Sequence, residues 1–488
     1  MFYLGLLEQA RLIQARQISP VELVRVYLSR IEQYDSVLRA YITVLADRAL
    51  DQARLAESEI GKGHYRGLLH GIPYGVKDQL FTRGIRTTLG SIILRDFVPD
   101  HDATVIERLD AAGAILIGKH NLHEFGKGGT IDFPFGQPKN PWDIKRTPAS
   151  SSTGSGIAPA AGFCTVALGN DTGGSIRWPA AANGIVGLRP TYGRVSRYGA
   201  LMFGWNADTI GPMGRQVADC AAVLQSIAGH DPRDPMSASV EVPDYLGALT
   251  TDLSGLSIGL ITEMTWVDGM HPTVRVAMEE SVRVLRSLGA RVEEVSLKLV
   301  KFSVPLQMMT TDADVAAVFL RKWLRTDWDQ FDRGTRSRLA TACLIPAPVY
   351  NRAMRARNLV RQEILDALNR YDALITATHL HPAPSIEKSQ EFVKTGDDMM
   401  ERVLRRRIST WPFSGANIPA IALPNGFSDD ALPMPVSLQI ASKPFAEQTV
   451  FRIAHAFEQA TTWHKRHPAL ESIIPKALVE TPRPERAE

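Results

Sequence analysis

Apolar positions recur along this chain with two different periods. In "SPVELVRVYLSRIEQY" (19–34), Val21, Leu23, Val24, Tyr27, Leu28 and Ile31 fall on one face of a helix. Ser19 is placed to cap it, Pro20 suits its first turn, and Glu22 stands three residues after Ser19, as in a capping box. Similar spacing predicts helices over 217–228, 272–288 and 446–460. Between such segments lie short apolar runs at 72–76, 114–118, 165–169, 185–188, 257–261, 373–377, 420–424 and 436–440. Runs of that length, alternating with helices, predict an α/β domain around a mostly buried sheet. Residues 303–370 are richer in aromatics, methionine and arginine, with helical periodicity, and predict a helical insertion over one face of the sheet. The proline- and glycine-rich stretch 126–156 holds Phe133, Phe135 and Trp142, too many aromatics for a free linker. The last residues, "ETPRPERAE" (480–488), are expected to fray.

Composition narrows the function classes. The 488 residues carry 55 basic and 52 acidic side chains, a formal charge of +3, which gives no nucleic-acid footprint. No apolar run reaches the ~20 residues of a membrane span, and the N-terminus has no signal-peptide pattern. We therefore expect neither a nucleic-acid nor a membrane partner. Cys164, Cys220 and Cys343 are odd in number and far apart, which fits a reducing cytoplasm. His120 with His123, and His379 with His381, have metal-like spacing, but no carboxylate or cysteine set completes either pair. No metal and no cofactor are expected.

Three segments carry candidate chemistry. "GNDTGGSIRWPAA" (169–181) puts two glycines before Ser175, a pattern open to a tight turn, a phosphate cradle or an exposed nucleophile. It matches neither phosphate-loop pattern, and neither Ser175 nor Ser155 sits in GxSxG. What remains is a serine beside consecutive backbone N–H groups able to hold an oxyanion. "PASSSTGSG" (148–156) runs straight into small apolar residues, which sets hydroxyls at a helix start. Lys77 ends the strand-like run of "GIPYGVKDQ" (71–79), where a snorkelling lysine is the ordinary alternative.

Together, in this order and spacing, the segments resemble the amidase signature family. The resemblance rests on residues 149–196, with "GIPYGVKD", "ILIGKHNLHEF" and "FSGANIPAIALPNGF" in support, and is weakest over 300–415. It implies one α/β/α sandwich domain over residues 1–488 around a mixed, mainly parallel sheet. It also implies a Ser–cisSer–Lys triad on Ser175, Ser151 and Lys77, with the Ser150–Ser151 peptide cis. The oxyanion hole would be the backbone of Thr172, Gly173, Gly174 and Ser175, with Gly126 lining the acyl pocket and Asp171 and Arg177 shaping the loop. Ala149-Ser150 stands where the family has Gly-Gly, Thr153 replaces a further glycine, and Asn170 replaces a threonine. The activity implied is hydrolysis of a small linear carboxylic amide, aryl amide, ester or carbamate, with a homodimer as the assembly considered. A second reading is the amidase subunit of a tRNA-dependent amidotransferase, although the middle of the chain lacks the glutamine-site segments expected of it. A third is a catalytically silent binding protein, against which the intact Lys77, Ser151 and Ser175 set argues.

Overall fold

In the computed structural model, which describes residues 1–390, 398 and 407–479, the capping pattern at Ser19 does open a helix, Pro20–Leu38. The Ser19 hydroxyl accepts from the Glu22 N–H at 3.0 Å, and the Glu22 carboxylate accepts from the Ser19 N–H at 2.8 Å. Its apolar face, including Leu23, Val24, Tyr27 and Ile31, joins the main core. The other three helical patterns become Val217–Ile227, Pro272–Ser287 and Glu447–Ala460. The expected fraying at 480–488 lies outside the described residues.

All eight apolar runs become strands. In chain order the described strands are β1 (Tyr41–Val44), β2 (Pro73–Lys77), β3 (Ile115–His120), β4 (Val166–Asp171), β5 (Val186–Arg189), β6 (Thr209–Gly214), β7 (Ser257–Ile261), β8 (Arg291–Val295), β9 (Ala373–Ala377), β10 (Ala420–Phe427) and β11 (Pro435–Ser442). They form one sheet in the order β1-β3-β2-β4-β6-β5-β10-β11-β9-β7-β8, with helices on both sides. The class is α/β, as expected.

The balance of strand directions departs from the expectation of a mainly parallel sheet. Parallel pairing is confined to β3–β2–β4 and to β9–β7–β8. The six other junctions are antiparallel, including the β10–β11 hairpin. The reason is physical: a continuous apolar run reports burial of both faces of a strand, whichever way its neighbour points.

The parallel β2–β4 pair positions the site. Val76 is in register with Leu168, and β4 runs on past the end of β2, which places the Lys77 amine beside Asn170. The helix Thr153–Ala161 packs nearby with its first turn against backbone. A Cβ on Gly154 would lie 2.1 Å from the Ala40 carbonyl oxygen, so only glycine fits there. Residues 303–370 form three helices, Ser303–Lys322, Arg333–Ala342 and Ala347–Leu368.

Ser19→Ala should lower stability by about 1 kcal/mol, because the hydroxyl that accepts from the Glu22 N–H is lost while the backbone arm of the box remains. Urea denaturation would measure it. A variant as stable as the parent would mean that the cap contributes nothing beyond the packing of the helix face.

Candidate active site

Lys77 closes β2 with its side chain fully buried. Its Nζ lies 2.8 Å from Ser151 Oγ and also donates to Asn170 Oδ1. The amide oxygen of Asn170 can only accept, so it fixes one N–H of the amine. The contact with the Ser151 hydroxyl can run in either direction. Burial pushes the Lys77 ammonium down to about 7, with the more distant Asp208 and Asp171 acting the other way. A substantial share of neutral amine is thus present near neutral pH.

Ser151 belongs to a loop sewn to the end of β4. The Ser152 hydroxyl donates to the Asn170 carbonyl at 3.1 Å, and the Ser152 N–H donates to the Ser175 carbonyl at 3.2 Å. The Ser150–Ser151 peptide is cis, and Ala149, which stands in place of the family's glycine, has φ +64.

The loop after β4 is organised around one carboxylate. Asp171 accepts from the N–H groups of Gly174 at 2.8 Å and Ile176 at 3.2 Å. It also receives Arg177 through Nε and Nη2, each at 3.0 Å, and Arg189 at 3.3 Å. Burial alone would raise its pKa, but the two guanidiniums and the N–H donors hold it well below the usual carboxylate range. Arg177 goes on to the Thr410 carbonyl, Gln439 Oε1 and Ser414 Oγ, so it braces backbone rather than facing a ligand.

This arrangement decides which N–H groups are available. The carbonyls of Thr172 and Gly173 accept from Gln307 Nε2 at 2.9 Å and Thr410 Oγ1 at 2.7 Å. The Gly174 N–H, expected among the oxyanion donors, is already taken by Asp171. The N–H groups of Thr172, Gly173 and Ser175 have no acceptor among the described residues. The glycines are sterically required: a Cβ on Gly173 would meet Trp411 Nε1 at 2.2 Å, and Gly174 has φ +122.

Ser175 is half-buried and lines a cleft with Ser150, Asn170, Thr172, Gly173 and Gly126. Ser151 and Lys77 lie behind that lining, 1% and 0% exposed. A Cβ built on Gly126 would come within 3.5 Å of Lys77 Nζ, so this loop walls the amine off. Phe125, Phe203, Val315, Trp178 and Trp411 supply the apolar part of the cleft, and Gln79, Gln307 and Asp208 polar parts. Sequence reasoning noted Asn170 only as a replacement and missed its contact with Lys77. A polar amide one strand over, at the same height as the lysine, was the available signal. Gln307, Thr410 and Trp411 come from distant segments with no motif to mark them.

The histidine pair at 120 and 123 has a structural role. His120 stacks edge-on against Tyr41 at 4.7 Å and bonds Ser155, while His123 Nδ1 accepts from the Thr130 N–H. Burial pushes both imidazoles down to about 3, so both are neutral.

The sequence matches the Amidase family model over residues 22–451. The chain belongs to the amidase family. It is 40% identical over 494 residues to a Glutamyl-tRNA(Gln) amidotransferase subunit from Carboxydothermus hydrogenoformans, an alignment covering 96% of this chain and 100% of that protein. Among solved structures it is similar to the peptide amidase of Stenotrophomonas maltophilia, with TM-score 0.82, 31% identity, and 96% and 98% of the two chains covered. The corresponding Glutamyl-tRNA(Gln) amidotransferase subunit of Thermotoga maritima aligns with TM-score 0.79 and 32% identity over 94% of this chain and 95% of that one. Membership of the amidase family thus extends over nearly the whole chain, and the coarse activity is that of an amide hydrolase.

The buried amine carries a stability signature. A lysine whose pKa is about 7 in the fold and about 10.5 unfolded penalises the native state fully below pH 7. Stability then rises with pH between those values, because the unfolded chain binds the extra proton. Lys77→Met should therefore be at least as stable as the parent at pH 6. Its advantage should shrink by a few kcal/mol as pH rises toward 9. Denaturation at several pH values checks this, and parallel pH dependences for the two proteins would show that Lys77 is not depressed.

Proposed function

We propose that the protein hydrolyses a small linear carboxamide through an acyl-enzyme on Ser175. The observation that carries the reading is the 2.8 Å contact between Lys77 and Ser151, buried directly behind a serine on an N–H-rich loop. In this reading Ser175 Oγ attacks the amide carbonyl carbon. Its proton passes to Ser151, whose own proton passes to the neutral Lys77 amine. The oxyanion is held by the N–H groups of Gly173 and Ser175, with Thr172 in reserve, at about 3–4 kcal/mol for a lost donor. The tetrahedral adduct collapses as Ser151, backed by protonated Lys77, returns a proton to the leaving nitrogen. Water then attacks the acyl-serine by the same relay in reverse and releases the acid. Gln79 Oε1 and Gln307 Oε1 are buried in the cleft with no hydrogen-bond partner among the described residues, which suits the N–H groups of a carboxamide. The apolar walls suit a short hydrocarbon segment of the substrate.

Between a free-standing hydrolase and the amidase subunit of a tRNA-dependent amidotransferase, the relatives favour the second. That reverses the order read from the sequence. Glutamyl-tRNA(Gln) amidotransferase subunits from organisms as different as Carboxydothermus hydrogenoformans and Chloroflexus aggregans match over 94–96% of this chain at 40% identity. An amidotransferase moves nitrogen from a donor amide to an acceptor, and the component that opens the donor amide needs the chemistry above. Ammonia release by the isolated chain, without and then with co-expressed partner subunits, separates the two settings. Turnover that depends on the partners supports the amidotransferase setting.

Ser175→Ala should lower kcat by about a thousandfold or more in either setting. Stability should stay within about 0.5 kcal/mol, since one oxygen is removed from a half-buried position. Ammonia release and thermal denaturation measure the two. A variant that keeps more than a few per cent of the parent's activity would remove Ser175 from the nucleophile's role.

A further inference from the structure

Asn170 stands where the family pattern has a threonine, and it holds both sides of the Lys77–Ser151 contact. It is buried at the end of β4, where its backbone is locked from two directions. Its carbonyl accepts from the Ser152 hydroxyl at 3.1 Å and its N–H donates to the same hydroxyl at 3.3 Å, while it pairs with Ile210 of β6 on the other side. Its amide oxygen accepts from Lys77 Nζ. One residue thus fixes the neighbour of Ser151 with its main chain and the lysine with its side chain. A Cβ on Gly126 would lie 3.7 Å from Asn170 Oδ1, so the Gly126 loop closes over this contact as well.

Burial alone does not aim a lysine nitrogen, which sits on a flexible four-carbon stem. A neutral amine has two N–H donors and one lone pair. It can take the Ser151 proton only when the lone pair faces Ser151 Oγ. An amide oxygen accepts and cannot donate, so Asn170 captures an N–H and leaves the lone pair to Ser151. A threonine hydroxyl at this position could turn and donate into the lone pair. An aspartate, with the same shape as asparagine, would capture the N–H equally well but would hold the amine as ammonium.

We propose that Asn170 is the positioning residue of the relay: its amide oxygen aims the Lys77 lone pair at Ser151 without supplying a counter-charge. The inference rests on the amidase reading for what the aimed lone pair does. The charged groups around the amine are otherwise engaged. Asp171 is matched by Arg177 and Arg189, and Asp208 accepts from the N–H groups of Phe203 and Gly204 and from the Thr172 hydroxyl. His123 is neutral, its imidazole pushed down to about 3 by burial. On the Gly126 loop, Lys127 pairs with Asp312, and Glu124 accepts from the Ser91 hydroxyl and the Asp332 N–H. Burial brings Lys127 down to about 8 and Glu124 up to about 7, so both titrate in the range of Lys77. The ionisation that belongs to Lys77 is therefore the one that Lys77→Met removes.

The test is the pH profile of Ser175 labelling by a fluorophosphonate in the parent, Asn170→Asp, Asn170→Ala and Lys77→Met proteins. In Asn170→Asp the midpoint of the Lys77 ionisation should move up by about one pH unit or more, with labelling about fivefold or more slower at pH 7 and recovered by pH 9.5. In Asn170→Ala the plateau rate should fall about tenfold or more with no upward move of the midpoint. Urea denaturation reads the same contact without labelling: the rise in stability expected of the parent between pH 7 and 9 should shrink in Asn170→Asp, because its Lys77 stays protonated in the fold over that range. A midpoint and a stability rise in Asn170→Asp that match the parent, or an Asn170→Ala plateau within twofold of it, overturn the positioning role and leave the amidase reading standing. A parent protein that is not labelled at Ser175 overturns the amidase reading, and this inference with it.

Discussion

A primary amine buried without a carboxylate in hydrogen-bond contact is the constraint on which the site depends. Lys77 and Lys119 lie near the ends of neighbouring parallel strands and are equally buried, yet their surroundings differ. Lys119 faces Asp78 at 3.4 Å and also donates to the Leu80 carbonyl, Thr82 and Thr87. Lys77 has only neutral oxygens within reach, on Ser151 and Asn170. Desolvation with no adjacent counter-ion favours the uncharged amine, whereas a paired lysine can stay charged at the same depth. The sheet makes this possible, since the β2–β4 pairing places the amine under the loop of Ser151 and seals it from water.

The second requirement is a loop that keeps its N–H groups pointed outward. Asp171 meets it by drawing the Gly174 and Ile176 N–H groups and two arginines toward itself, while Gln307 and Thr410 donate to the Thr172 and Gly173 carbonyls. Paired buried charges of this kind contribute more to a unique loop geometry than to net stability. In the proposed reaction Arg177 and Asp171 would act through the backbone they hold rather than by touching the substrate. The residues that can meet a ligand are Ser175, the free N–H groups and the walls of the cleft.

Much of this was legible in the sequence because it is local. The capping box at Ser19, the eight apolar runs and the spacing of Lys77, Ser151 and Ser175 are all properties of short segments. The missed strands are those whose local signal is weak. β1 has only four residues, β6 is "TIGPMG" with two glycines and a proline, and β8 is "RVEEV", mostly charged and exposed at the sheet edge. The cleft walls were not legible for a different reason. Lys127 and Arg338 are 211 residues apart, and Gln307 meets Thr172 across 135. Such meetings are decided by how helices pack over the sheet, for which a single sequence carries no periodic signature.

The central claim is that Ser175 is activated through a neutral Lys77. The most direct measurement is the rate of covalent labelling by a fluorophosphonate as a function of pH, with the modified residue located by peptide mass spectrometry. The account predicts stoichiometric labelling at Ser175, at a rate that climbs through a single ionisation near pH 7, and loss of that climb in Lys77→Met. Labelling on another serine, or a Ser175 rate that is flat between pH 6 and 9 or equally pH-dependent in Lys77→Met, would contradict it.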